Sequence, residues 1–268
     1  MTYERLMEHA EDLRRRAVEV TMALFDNDPR RRGGVERAFA DVPDAFRAVA
    51  NFPDPRTVDG PIDCLTSVLS GLSTGDDVPA APGLARIGSV LQMLGGWDGE
   101  AADRVRDGFL MPWPGLVRNQ YTVAKVLHSA LLAQREIWAR ARQDADQIAE
   151  QGLAAVAACG DCTRTEWTVT FTVVSSLAAV VAIPLGGGPA VAVGGVAAVA
   201  QVLAAVGPDE APRTSFSADD PGEVVEQVRE AIRRLLGHVY ERREAVGRAL
   251  EQTGYLMGDR PELFGWKR

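Results

Sequence analysis

The chain has 268 residues, 46% of them hydrophobic and 25% charged, with a formal net charge of −8. That is ample apolar material for the core of one large or two small domains. An excess of acidic (37) over basic (29) residues argues against a nucleic-acid partner, which would need a basic face.

Residues 3–25 predict an amphipathic helix, with Leu6, Leu13, Val20 and Leu24 at helical spacing and Arg and Glu between them. Asn27-Asp28-Pro29 ends it. Residues 34–50 predict a second helix with Val35, Phe39, Val42, Phe46 and Val49 on one side, broken or bent at Pro43. The proline-rich stretch from Asn51 to Pro61 reads as a loop. Ile62–Leu72 and residues 83–94 read as short helices separated by a linker at Pro79 and Pro82. Gly95-Gly96-Trp97-Asp98-Gly99 is a sharp turn by composition.

A helical run begins at Ala101 and is interrupted by Pro112 and Pro114. From Leu116 to Val156, apolar residues at helical spacing predict one helix of about 40 residues, about 60 Å at ~1.5 Å per residue. Such a helix belongs in a bundle or a coiled-coil-like arm. Residues 208–221 read as a polar loop. Asp220-Pro221 is a helix start, a capping side chain followed by proline at the first helical position. The last helix then runs to about Thr253, and Gly254 ends it.

Trp167–Pro208 contains no Asp, Glu, Lys or Arg. In a chain that is 25% charged, so long a run arises by chance about once in 10⁵, so it calls for a physical reason. Two apolar arms, Val169–Leu185 and Ala190–Val206, flank Gly186-Gly187-Gly188-Pro189, the pattern of an apolar hairpin. Three readings of it stand side by side. It is the buried centre of a helical bundle, since an all-round apolar helix must be buried or in lipid. It inserts into a membrane, although each arm gives only about 26 Å of helix against a core of ~30 Å. Or part of it is β, because Trp167, Val169, Phe171 and Val173 alternate with Thr168, Thr170 and Thr172. The alanine-rich remainder favours helix.

Signatures of catalysis are missing. There is no phosphate-binding Gly-rich loop, no H-E-x-x-H and no G-x-S-x-G. His9, His128 and His238 sit in helical patterns as structural or exposed residues. Carboxylate pairs such as Asp144 and Asp146 read as a solvated helix face. Cys159-Gly160-Asp161-Cys162 has the C-x-x-C spacing, but no second pair completes a zinc site and no βαβ context supports redox chemistry. It reads most simply as two small residues where a helix becomes a loop, while export would allow a Cys159–Cys162 disulfide. No cofactor is expected. Residues 1–20 are charged throughout and lack an apolar stretch, so no Sec signal peptide is expected.

Two short motifs carry more. Trp97-Asp98-Gly99 is a W-x-G turn: glycine lets the chain reverse, and the indole is expected to bury between the flanking helices. A second match, Trp113-Pro114-Gly115, lacks that setting. Tyr255 and Asp259 form a Y-x-x-x-D pair just past the expected end of the last helix, where a partner can reach them. Tyr240 and Glu244 share the spacing inside the helix.

Gly96-Trp97-Asp98-Gly99-Glu100-Ala101-Ala102-Asp103 resembles the W-x-G corner of the small helical Esx substrates of type VII secretion. The order of elements resembles that of the larger EspA-like substrates of actinobacteria: upstream helices, the corner, a long helix, then an apolar hairpin. Tyr255-Leu256-Met257-Gly258-Asp259 is similar to the export signal of these systems. The resemblance implies a non-enzymatic, secreted or envelope-associated protein, made in the cytoplasm. Its secretion machinery would recognise Tyr255 and Asp259. Trp97 and Gly99 would shape a surface for a helical WXG-type partner or for self-association.

The expected architecture is all-α. It is an elongated helical bundle in four segments: an N-terminal helical part (1–78), a W-x-G hairpin with the long helix (79–165), the apolar hairpin (166–208), and the last helix with its signal-like tail (209–268). The alternative to a secretion substrate is a membrane-inserting, pore-forming-like protein that uses residues 167–208.

Overall fold

The computed structural model describes residues 3–73, 81–159, 166–174, 213–216 and 220–264. In chain order they form α1 (Tyr3–Leu24), α2 (Pro29–Ala38), α3 (Val42–Ala50), α4 (Asp59–Leu72), α5 (Pro82–Met93), α6 (Glu100–Val105), α7 (Trp113–Ala157), β1 (Trp167–Thr170), β2 (Arg213–Phe216) and α8 (Pro221–Asp259). The fold is all-α in class, with one small antiparallel sheet of β1 and β2 added. Most of the two apolar arms, with the Gly186–Pro189 turn, lies outside the described residues.

Local sequence explains most boundaries. α1 ends where Asp26 and Asn27 take positive φ (51° and 56°), a conformation that short polar side chains tolerate. Asp28 then caps α2 by accepting from the Arg30 amide at 3.0 Å, with Pro29 in the first turn. That cap starts the helix at residue 29, earlier than the periodicity suggested. Pro43 lies in the first turn of α3, so the break falls just before it. The expected loop from Asn51 to Pro61 instead contains a 3-10 turn (Pro55–Val58) and the start of α4. A π-helical turn, Arg106–Leu110, precedes Pro112. Pro114 falls in the first turn of α7, where no intrahelical donor is missed. The long helix itself spans 45 residues.

The described residues fall into two compact units, and each draws on distant parts of the chain. The first comprises residues 3–56, 134–159, 166–174, 213–216 and 220–244. The second comprises 57–73, 81–133 and 245–264. The first unit therefore takes something from all four sequence segments.

The first unit is built on helical stripes. Leu6, Ala10, Leu13 and Ala17 of α1, with Val42, Phe46 and Val49 of α3, are buried. On α8, Val225, Val228, Ile232, Leu235 and Val239 are buried at alternating three- and four-residue steps, the spacing of a coiled-coil seam. Small residues of α7, including Ala141, Ala145 and Gly152, are buried as well, and Gly152 meets Leu13 of α1 and Val228 of α8. A Cβ at Gly152 would stand 2.6 Å from Val228 Cγ2 and 3.6 Å from the Leu13 methyls. Glycine costs about 1 kcal/mol of helix propensity there. It is the residue that lets three helices close, and a branched neighbour such as Val228 has little freedom to yield.

In the second unit, Thr66 of α4 meets His128 of α7 (Oγ1 to Nε2, 3.1 Å). After α8, a 3-10 turn (Pro261–Leu263) is held by α7: Asn119 Nδ2–H donates to the Leu263 carbonyl at 2.7 Å, and Gln120 Nε2–H to that of Phe264 at 2.9 Å.

Candidate functional site

The base of the charge-free run is the best-built feature of the first unit. Trp167 pairs with Phe216, Val169 with Thr214 and Thr170 with Arg213. The two-residue period sets its faces. Val169, Phe171, Val173, Thr214 and Phe216 are buried, while Thr168, Arg213 and Ser215 are exposed. This corrects the helical preference for residues 167–170: the β-branched alternation outweighs the alanine-rich composition farther along the run. Phe171 is fully buried and packs against the His238 ring of α8, with centroids 5.8 Å apart.

Asp144 fixes this pair of strands to α7. After β1 the chain makes a 3-10 turn, Thr172–Val174, whose first amides lack partners within the turn. The Thr172 hydroxyl donates to Asp144 Oδ1 at 2.7 Å, and the Val173 amide donates to Oδ2 at 2.9 Å. The carboxylate of one helix thus caps the start of another element. Asp144 is fully buried, and that burial pushes its pKa above the ordinary carboxylate value. The hydrogen bonds from Thr172 and Val173, with the charge of Arg140, pull the other way and only partly offset it.

The expectation that Asp144 and Asp146 lie on a solvated face is therefore wrong, since both are buried. The signal was present: Asp144 stands on the same stripe as Ile137, Ala141 and Ile148, at steps of four, three and four.

Trp97 and Gly99 lie between α5 and α6. Leu94–Gly96 forms a 3-10 turn, Trp97 is extended, and Gly99 sits before α6 with φ +106°, where a side chain would be strained. The Gly99 carbonyl accepts from the Asp103 amide at 3.0 Å, and the Trp97 carbonyl accepts from Arg106 Nη2 at 3.3 Å. The indole was expected to be buried, but it is 43% exposed. Met93, Phe109 and Met111 in the same stretch are exposed as well.

α8 does not stop at Gly254 but continues to Asp259. The buried stripe extends through Val246, Ala249 and Thr253, and this tertiary burial outweighs the single glycine. Tyr255 and Asp259 are therefore one helical turn apart, both exposed, rather than in a frayed tail. Cys159 sits just past the end of α7, half-buried, with Sγ 3.4 Å from the Ala155 carbonyl; Cys162 lies outside the described residues.

Among the described residues, no helix is long and apolar enough to cross a membrane. Comparison with known proteins gives no relative: no family model, no curated protein and no solved structure matches the chain.

Proposed function

We propose that the chain is a non-enzymatic, type VII secretion-associated substrate that acts through helical protein–protein contacts after export to the envelope or beyond. The observation that carries this reading is the presentation of Tyr255 and Asp259. They share one exposed face of α8, while Asn119 and Gln120 hold the chain just beyond that helix. A recognition pair on a pre-formed helix loses little conformational freedom when it is bound. Trp97, Met93, Phe109 and Met111 add exposed apolar surface of the kind that marks a protein contact, here for a helical WXG-type partner or a second copy. In a type VII-competent host the parent chain is expected to be exported, and Tyr255→Ala with Asp259→Ala is expected to abolish that export while the variant is still made inside the cell. Unchanged export of the variant, or none of the parent, would contradict the reading.

A second reading, membrane insertion by the charge-free run, is favoured by one observation. The β1–β2 pairing brings Thr170 and Arg213 side by side, so the chain between them, which holds most of the charge-free run, starts and ends at one place, as an inserting hairpin requires. Dye release from anionic and neutral liposomes across pH separates this reading from the first. Leakage supports it, and the absence of both leakage and lipid binding removes it.

A further inference from the structure

His9, Asp146 and Glu150 form a cluster that neither the secretion reading nor the β1–β2 clamp uses. Each offers one ligand atom, and these atoms all lie within 4.8 Å of one another. Asp146 and Glu150 are four residues apart on α7 and so share a face, and His9 reaches them from α1. His9 Nδ1 is 2.6 Å from Asp146 Oδ1. Asp146 is buried, and Glu150 has no hydrogen-bond or ion-pair partner among the described residues.

The backbone beneath the cluster is fixed. Leu13, one turn beyond His9, packs at Gly152, just past Glu150, at the close approach of α1, α7 and α8. The ligand positions therefore come from two packed helices rather than from loops.

We propose that His9, Asp146 and Glu150 bind a first-row divalent transition-metal ion. One imidazole nitrogen and two carboxylates are the borderline and hard donors that such ions take, and three ligands leave positions open for water. Metal–ligand distances of about 2.1 Å place tetrahedral ligands about 3.4 Å apart. The three ligand atoms lie within 4.8 Å of one another, with His9 Nδ1 and Asp146 Oδ1 only 2.6 Å apart, so an ion has to part that hydrogen-bonded pair, while exposed Glu150 has the freedom to close on it. Two carboxylates facing one imidazole also supply the negative charge that a dication neutralises. The competing account is a plain His9–Asp146 hydrogen bond joining α1 to α7, with Glu150 solvated.

Titration of the full-length protein with Co²⁺, followed by visible absorption and calorimetry, separates the two. One ion per chain is expected, with a nitrogen–oxygen ligand-field spectrum. Glu150→Gln keeps the shape of an exposed side chain and the fold, and is expected to weaken binding at least about tenfold, a loss seen even for outer-shell partners. His9→Gln, checked for folding by circular dichroism, is expected to do the same. No uptake of Co²⁺, unchanged affinity in Glu150→Gln, or a thiolate charge-transfer band placing the ion on cysteine would each overturn the proposal.

Discussion

Replacing Phe171 by alanine is expected to destabilise the first unit by about 3–5 kcal/mol, the range for deleting a fully buried phenylalanine. The ring is 1% exposed and packs on His238, with Val169, Val173 and Phe216 buried beside it. The strand pair has only four residues on each side, too little to be stable without the apolar face that Phe171 anchors. Urea denaturation followed by tryptophan fluorescence measures the loss. Thr168→Ala, on the exposed face of the adjoining strand β1, should stay within about 0.5 kcal/mol of the parent. Equal effects for the two variants would mean that the alternation through residues 167–173 does not set which side chains are buried.

Asp144→Ala is expected to cost about 1–3 kcal/mol, because it leaves the buried Val173 amide without an acceptor and takes one from the Thr172 hydroxyl. Part of that loss is offset, since alanine removes a carboxylate whose burial is itself unfavourable. Asp144→Asn separates the two effects. Its amide oxygen can accept from Val173 and its NH2 can donate to the Thr172 hydroxyl, so much of the capping survives without a charge to bury.

The pH dependence has a definite sign. The folded-state pKa of Asp144 is raised, so from about pH 4 upward the folded chain holds a proton that the unfolded chain has released. Stability from this group therefore falls as pH rises through that window, and the full burial penalty is present above it. Relative to Asp144→Asn, the parent should be more stable near pH 4 than near pH 7 in urea denaturation with a chelator present. A difference that is flat, or that grows with pH, would show the hydrogen bonds outweighing the burial.

Periodicity made the helices legible. The long helix, the helix start at Asp220-Pro221 and the interruption by Pro112 and Pro114 all obey rules that act within one turn of chain. What periodicity could not show was what lies opposite a residue. Asp144 and Asp146 look solvated until α1 and the β1–β2 pair are placed against α7. Trp97 looks like a core residue by its place between two helices, yet its indole is exposed. Gly254 is a plausible stop by propensity alone, but the buried stripe of α8 carries the helix past it. The alternation in residues 167–173 is visible in the sequence, yet the alanine-rich run beyond it points to helix, whereas strand pairing is decided by the few residues that meet a partner.

Tyr255 and Asp259 were legible as a spaced pair, though not as a helical one. The His9, Asp146 and Glu150 cluster was not legible at all, because its members lie on helices far apart in sequence and meet only where Gly152 lets those helices close.

The start of the charge-free run pairs with Arg213–Phe216, a short way beyond its far end, and is tied to the helical body through Asp144. Hydrogen exchange at the Val173 amide tests that attachment most directly. In the native protein that amide should exchange slowly, close to the rate set by global opening, and Asp144→Ala should accelerate it selectively while the amides of α8 stay protected. Fast exchange at Val173 in a parent protein whose helices are protected would contradict the account.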